Sequence, residues 1–151
     1  MGIVVVNYGM GNIHSVAKAL ERVSSRFKVF VSSDGDEILK ACGIVFPGVG
    51  AFGKAMENLK RLGLIKALEE KIEAETPFLG ICLGMQLMFG ESYEHGVHKG
   101  LGVIKGRVLR LPEGVKTPHM GWNQVFKVRE DPIFSGIPDA SYFYFVHSYY
   151  V

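Results

Sequence analysis

The sequence predicts an α/β protein: a doubly wound, mostly parallel sheet flanked by helices, with an antiparallel β addition in its C-terminal third. Three observations carry this expectation. Apolar runs of strand length, Gly2 to Asn7, Gly43 to Phe46 and Pro77 to Ile81, mark strands buried on both faces, as parallel sheets require. Between these runs apolar residues recur at helical spacing. After Glu91 that spacing stops, and partly alternating, aromatic segments joined by Gly and Pro take over.

A chain of 151 residues can bury a real core, and a single domain over 1–151 is expected. The net charge is +2 with the charges mixed along the chain, so there is no stripe for nucleic acid or a membrane surface. The longest apolar runs are strand-length, and the start, Gly2-Ile3-Val4-Val5-Val6, has no basic leader. Neither a membrane span nor a signal peptide is expected. Two cysteines in an ordinary core do not make a disulfide framework, which fits a reducing cytoplasm. The five histidines are scattered and form no Cys/His group with zinc spacing, so no metal or cofactor is expected.

The opening strand leads into Tyr8-Gly9-Met10-Gly11-Asn12, a turn with a good N-cap in Asn12. Ile13, Val16, Ala17, Leu20 and Val23 then mark a helix, with His14 off its apolar stripe. The turn lacks the three-glycine spacing of a dinucleotide fingerprint. Asn12 lies at the carboxyl edge of the first strand, where α/β proteins bind ligands, so a functional role and a plain cap both stand open. Phe27 to Val31 reads as a second strand, and Asp34 to Ala41 as a short helix with acids in its first turn. The third strand, Gly43 to Phe46, ends in Pro47-Gly48-Val49-Gly50-Ala51-Phe52-Gly53. So glycine-rich a loop can bring bare backbone N–H groups against a ligand oxygen. Met56, Leu59, Leu62, Ile65, Leu68 and Ile72 mark one or two helices broken near Gly63. Pro77 to Ile81 is the fourth strand, which completes a β-α-β-α-β-α-β-α order once the next helix is counted.

That strand delivers Gly80-Ile81-Cys82-Leu83-Gly84-Met85-Gln86. Glycines two residues on either side of a cysteine, after a strand and before a helix spanning Leu83 to Phe89, make a nucleophile elbow. The glycines keep Cβ atoms away from crowded backbone, and N–H groups at the helix start favour the reactive thiolate. A bare cysteine is more often a small buried core residue; Cys42, which precedes a strand without such a turn, is read that way.

In the last third, Val103 to Leu111, Trp122 to Val128 and Ala140 to Tyr149 read as strands. His119 is expected in a loop before the second of these. Met120-Gly121-Trp122 suits an interface anchor, and Trp122 suits a core position equally well. His147 ends a strand and reads as a structural histidine sooner than a catalytic one, while His95 and His98 read as solvent residues.

The stretch Gly80 to Gln86 resembles the nucleophile elbow of the triad-type class I glutamine amidotransferases. Pro47-Gly48-Val49-Gly50-Ala51-Phe52-Gly53, Pro118-His119-Met120-Gly121-Trp122-Asn123 and Tyr144-Phe145-Val146-His147-Ser148-Tyr149 narrow the resemblance to the glutaminase subunits of imidazole glycerol phosphate synthase. It runs from Ile3 to the last residue, with the blocks in order. The resemblance implies a flavodoxin-like fold, hydrolysis of L-glutamine to glutamate and ammonia, and passage of the ammonia to a (β/α)₈-barrel cyclase subunit in a heterodimer. Cys82 would form a glutamyl thioester. The Leu83 N–H would be one oxyanion donor, and the Gly48-Val49-Gly50 loop would give the second, from Val49 after a peptide flip. Gln86, with backbone groups around Gly50 and at His147, Ser148 and Tyr149, would bind the substrate. Asn12, Met120, Trp122 and Tyr144 would face the cyclase.

The resemblance also implies a Cys-His-Glu triad, with a late His-Pro-Glu motif that these 151 residues do not contain. None of His14, His95, His98, His119 and His147 matches it. The expectation is a chain truncated at its C-terminus, with no useful glutaminase activity for lack of a general base. A stand-alone cysteine hydrolase and a non-catalytic, cyclase-docking module are the alternative readings.

Overall fold

The computed structural model describes residues 2–151, which form two compact units, residues 2–109 with Val151, and residues 110–150. In the first unit, strand β1 (Gly2–Val6) is followed by helix α1 (Ile13–Val23), β2 (Lys28–Ser32), α2 (Gly35–Lys40) and β3 (Gly43–Phe46). Helices α3 (Phe52–Arg61) and α4 (Ile65–Glu73) then lead to β4 (Phe78–Gly80). The four strands are all parallel in the order β2-β1-β3-β4. Strand side chains alternate between faces. Val5 and Val45 meet Ala17 of α1, with Ile3, Ile13, Val16, Leu20 and Val29 around them. Val4, Val6, Ile44 and Phe46, also buried, point to the opposite face, where α2 packs on β1 and on α4.

The helix starts follow local chemistry. Asn12 accepts from the Ser15 N–H at 3.3 Å and Asp34 from the Asp36 N–H at 2.8 Å, each satisfying an N–H that the helix leaves orphaned. Gly63, at φ +67°, breaks α3 from α4 as expected. The strand order reverses direction between β1 and β3, so the loops leaving these two strands flank a crevice at the carboxyl edge of the sheet.

The helix after Cys82 is shorter than the sequence predicts. Helix α5 spans only Leu83–Gln86, and a strand, β5 (Phe89–Ser92), begins where helix was expected. The reason lies in the following segment: the N–H groups of Leu101, Ile104, Gly102 and Gly100 bond the carbonyls of Leu87, Met88, Phe89 and Gly90. Drawn into these bonds, the backbone from Phe89 onward is extended, and the helix stops after one turn. Strand β6 (His98–Lys99) pairs antiparallel with β5, whereas β7 (Ile104–Arg110) pairs with it parallel. The added strands are therefore mixed in direction.

The second unit is a hairpin of β8 (His119–Val125) and β9 (Ser141–His147), antiparallel in continuous register from His119 opposite His147 to Val125 opposite Ser141. A short strand, β10 (Tyr149–Tyr150), follows. His119 opens a strand and does not lie in a loop: Pro118, joined to Thr117 by a cis peptide, stands just outside the ladder, where its missing N–H costs no hydrogen bond.

Candidate active site

Strand β4 leads to Cys82, whose backbone holds φ +54° and ψ −118°. A non-glycine residue rarely adopts this conformation, and it marks a site that the surroundings over-determine. Here the surroundings are backbone. The Ile81 N–H donates to the Phe46 carbonyl at 3.0 Å. A Cβ on Gly84 would collide with that same carbonyl, and one on Gly80 would lie 2.6 Å from the Met85 Cα. Both glycines of the turn are thus required by close approach, as the sequence predicts. Cys82 itself is exposed. Because α5 is a single turn, the polarity around the sulfur comes from local N–H groups and not from a long helix dipole.

The Leu83 N–H, directly after the cysteine, donates to no backbone carbonyl among the described residues, and neither do those of Gly48, Val49 and Gly50. Gly50 adopts φ +106° and, like Val49, is exposed. Gln86 stands half-buried at the end of α5, with its N–H bonded to the Cys82 carbonyl at 3.1 Å. Asn12 is exposed and caps α1.

Both ends of the glycine loop are tied down by side chains that sequence reasoning passed over. The Tyr8 hydroxyl donates to the Pro47 carbonyl at 2.7 Å. At the other end, the Phe52 N–H donates to a Glu94 carboxylate oxygen at 2.6 Å, so Glu94 caps α3 from 42 residues away. His98, expected in solvent, is half-buried with its ring over Gly53, so close that a Cβ there would lie 2.6 Å from it. Burial, and after it the charge of the nearby Cys82 thiolate, pushes the Tyr8 phenol well above its ordinary pKa. No local pattern in the sequence signals any of these three contacts.

In the second unit the two histidines of the motif blocks face each other. The Asn123 side-chain amide donates to His119 Nε2 at 2.9 Å. His119 therefore carries its proton on Nδ1, which donates to His147 Nε2 at 3.1 Å. His147 Nδ1 in turn donates to the Tyr149 carbonyl at 3.0 Å. Both nitrogens of His147 are thus occupied within the protein. Ser148 is engaged through its carbonyl, which accepts from the Leu111 N–H at 2.9 Å. On one face of the hairpin, Met120, Trp122 and Tyr144 are all exposed, Trp122 at 67%, and the Trp122 and Tyr144 rings meet at 5.6 Å. Trp122 is thus a surface residue and not core filler.

The profile of the family described as "Glutamine amidotransferase class-I" matches residues 4–151. The chain is 53% identical over 151 residues to the imidazole glycerol phosphate synthase subunit HisH of Aquifex aeolicus (strain VF5), covering all of this chain and 72% of that protein. It is 52% identical over 149 residues to the subunit of the same name from Moorella thermoacetica, covering 99% of this chain and 70% of the relative. A crystal structure of a glutamine amidotransferase matches with a TM-score of 0.67 over 96% of this chain and 71% of the other, at 17% identity, which shows a shared fold. Elbow, glycine loop, fold and relatives agree, and the chain belongs to the class-I glutamine amidotransferase family.

Proposed function

We propose that this chain is the glutaminase subunit of an imidazole glycerol phosphate synthase, hydrolysing L-glutamine to glutamate and ammonia and working with a (β/α)₈-barrel cyclase as a heterodimer in the cytoplasm. The observation that carries the reading is Cys82 at φ +54° on the turn between β4 and α5, beside N–H groups not spent on backbone carbonyls. Cys82 Sγ attacks the side-chain amide carbon of glutamine, and the carbonyl oxygen takes up the negative charge. The Leu83 N–H and one N–H of the Gly48-Val49-Gly50 loop, Val49's by preference, receive that charge. Collapse of the tetrahedral adduct expels the amide nitrogen, which leaves as ammonia after gaining a proton, and a glutamyl thioester remains on Cys82. Water then cleaves the thioester to glutamate and restores the thiol. The proton transfers require an acid–base group; the His-Pro-Glu motif of the family does not occur in these 151 residues, which span 72% of the Aquifex relative.

Gln86, with backbone groups at Gly50 and at His147, Ser148 and Tyr149, binds the glutamine. Because both His147 nitrogens are spent within the protein, this histidine serves through its main chain. Asn12, Met120, Trp122 and Tyr144 face the cyclase. The exposure of Met120, Trp122 and Tyr144 supports this, since Trp, Tyr and Met are enriched at interfaces. Among the described residues no helix is long and apolar enough to cross a membrane. The test is glutamate release from labelled glutamine with the cyclase present, on the chain joined to a segment that carries the family's His-Pro-Glu motif. Cys82→Ser should abolish it while leaving cyclase binding intact, and release that survives the substitution would overturn the proposal.

A further inference from the structure

We propose that Tyr8 is a positioning residue for the oxyanion loop: by donating to the Pro47 carbonyl it fixes the Pro47–Gly48 peptide, so that the N–H groups beyond it can face a substrate oxygen held at Cys82. This rests on reading Cys82 as the glutaminase nucleophile.

Proline has no N–H, so the carbonyl is the only backbone polar group of buried Pro47. It is satisfied by a hydroxyl 39 residues away, at 2.7 Å. The Tyr8 side chain is fully buried and its ring lies 5.2 Å from that of Phe46, at an interplanar angle of 54°. Two chain segments converge on Gly48: a Cβ there would strike the Tyr8 hydroxyl of one, and would lie 2.8 Å from the Leu83 Cβ and 2.9 Å from the Gly84 nitrogen of the other. Tyr8 thus holds the start of the glycine loop where Gly48 lies against the elbow, and Glu94 secures the far end at Phe52. A loop held at both ends, with its middle N–H groups donating to no backbone carbonyl, is organised to receive an oxygen. A phenol is a donor at neutral pH, and burial extends that to higher pH still.

The experiment compares two alkylating agents on the full chain. The γ-chloromethyl ketone of glutamic acid puts a carbonyl oxygen where glutamine's would lie, whereas iodoacetamide reports Cys82 reactivity without using the loop. Tyr8→Phe should lower the ratio of ketone to iodoacetamide rates at Cys82 about tenfold, because a donor is misplaced and not deleted. The iodoacetamide rate should change less than about twofold. An unchanged ratio, or a parallel fall of both rates in a folded variant, would overturn the proposal while leaving the glutaminase reading intact. A wild-type chain whose Cys82 ignores the ketone overturns both. Should Tyr8→Phe not fold, 3,5-difluorotyrosine at position 8 retains ring and donor. Its ratio should fall as pH is raised through ionisation of the fluorinated phenol while that of the wild type does not, and equal profiles would sink the idea.

Discussion

The two units of this chain are held together by different means. In residues 2–109, order comes from burial and from backbone pressed on backbone: every side chain of the buried core belongs to this unit, from Val4 to Val108, and Gly84 lies against the Phe46 carbonyl with no room for a methyl. In residues 110–150 no described side chain is fully buried. There a seven-pair ladder, a ring contact between Trp122 and Tyr144 and the Asn123–His119–His147–Tyr149 chain of hydrogen bonds supply the order. The first arrangement suits a nucleophile whose position must not vary. The second leaves a broad aromatic face open for another molecule.

Substitutions can break this contrast or sharpen it. The largest effect is expected from Gly84→Ala, which forces a methyl onto the Phe46 carbonyl. It should cost about 3 kcal/mol in urea unfolding and end Cys82 labelling, and a stable, reactive variant would show that the elbow has slack. Trp122→Ala should weaken cyclase binding by about 2 kcal/mol, roughly 30-fold in Kd by calorimetry. Because Trp122 is 67% exposed, the melting temperature should barely move; a large drop would mean that the aromatic face stabilises the unit itself.

Alkaline titration separates the units by another route. An unfolded tyrosine ionises near pH 10 (about 10 by reference values), whereas buried Tyr8 holds its proton to higher pH. Below pH 10 both states are protonated and nothing changes; above it the unfolded chain loses a proton that the folded chain keeps, so stability falls as pH rises. By pH 11 the wild type should have lost about 1.4 kcal/mol more than Tyr8→Phe, and parallel curves would refute the assignment. His119→Phe should cost about 1 kcal/mol, since one hydrogen-bond partner is lost on either side of a half-buried ring. Its signature is faster amide exchange along β8 and β9 with α1 unaffected.

Much of the first unit is legible in the sequence because its signals are local. Val4-Val5-Val6 and Ile44-Val45-Phe46 are apolar throughout, since both faces of those strands are covered. The glycines of the cysteine turn stand at the spacing that the turn needs. Local signals mislead where distant backbone competes: Leu87, Met88 and Phe89 suit a helix, yet their carbonyls are taken by residues 101–104. His119 looked like loop because Pro118 and Gly121 flank it, although the ladder begins at His119. Trp122 could not be assigned to core or surface, because the sequence does not show which face of a two-stranded hairpin is covered. Tyr8 and Glu94 act across 39 and 42 residues, and no periodicity records such a contact.

Phe46 and Gly80 are partners in the parallel ladder of β3 and β4, and the Ile81 N–H closes on the Phe46 carbonyl. Nucleophile and glycine loop therefore leave adjacent strands at the same level. Their separation is digital: slipping β4 by one residue would displace Cys82 by about 3.3 Å and turn every side chain of the strand to the other face. Thermal motion cannot take such a step gradually. The catalytic spacing is thus written in whole residues, and insertions or deletions of a single residue between Gly43 and Cys82 are the changes that it tolerates least unless a connecting loop absorbs them.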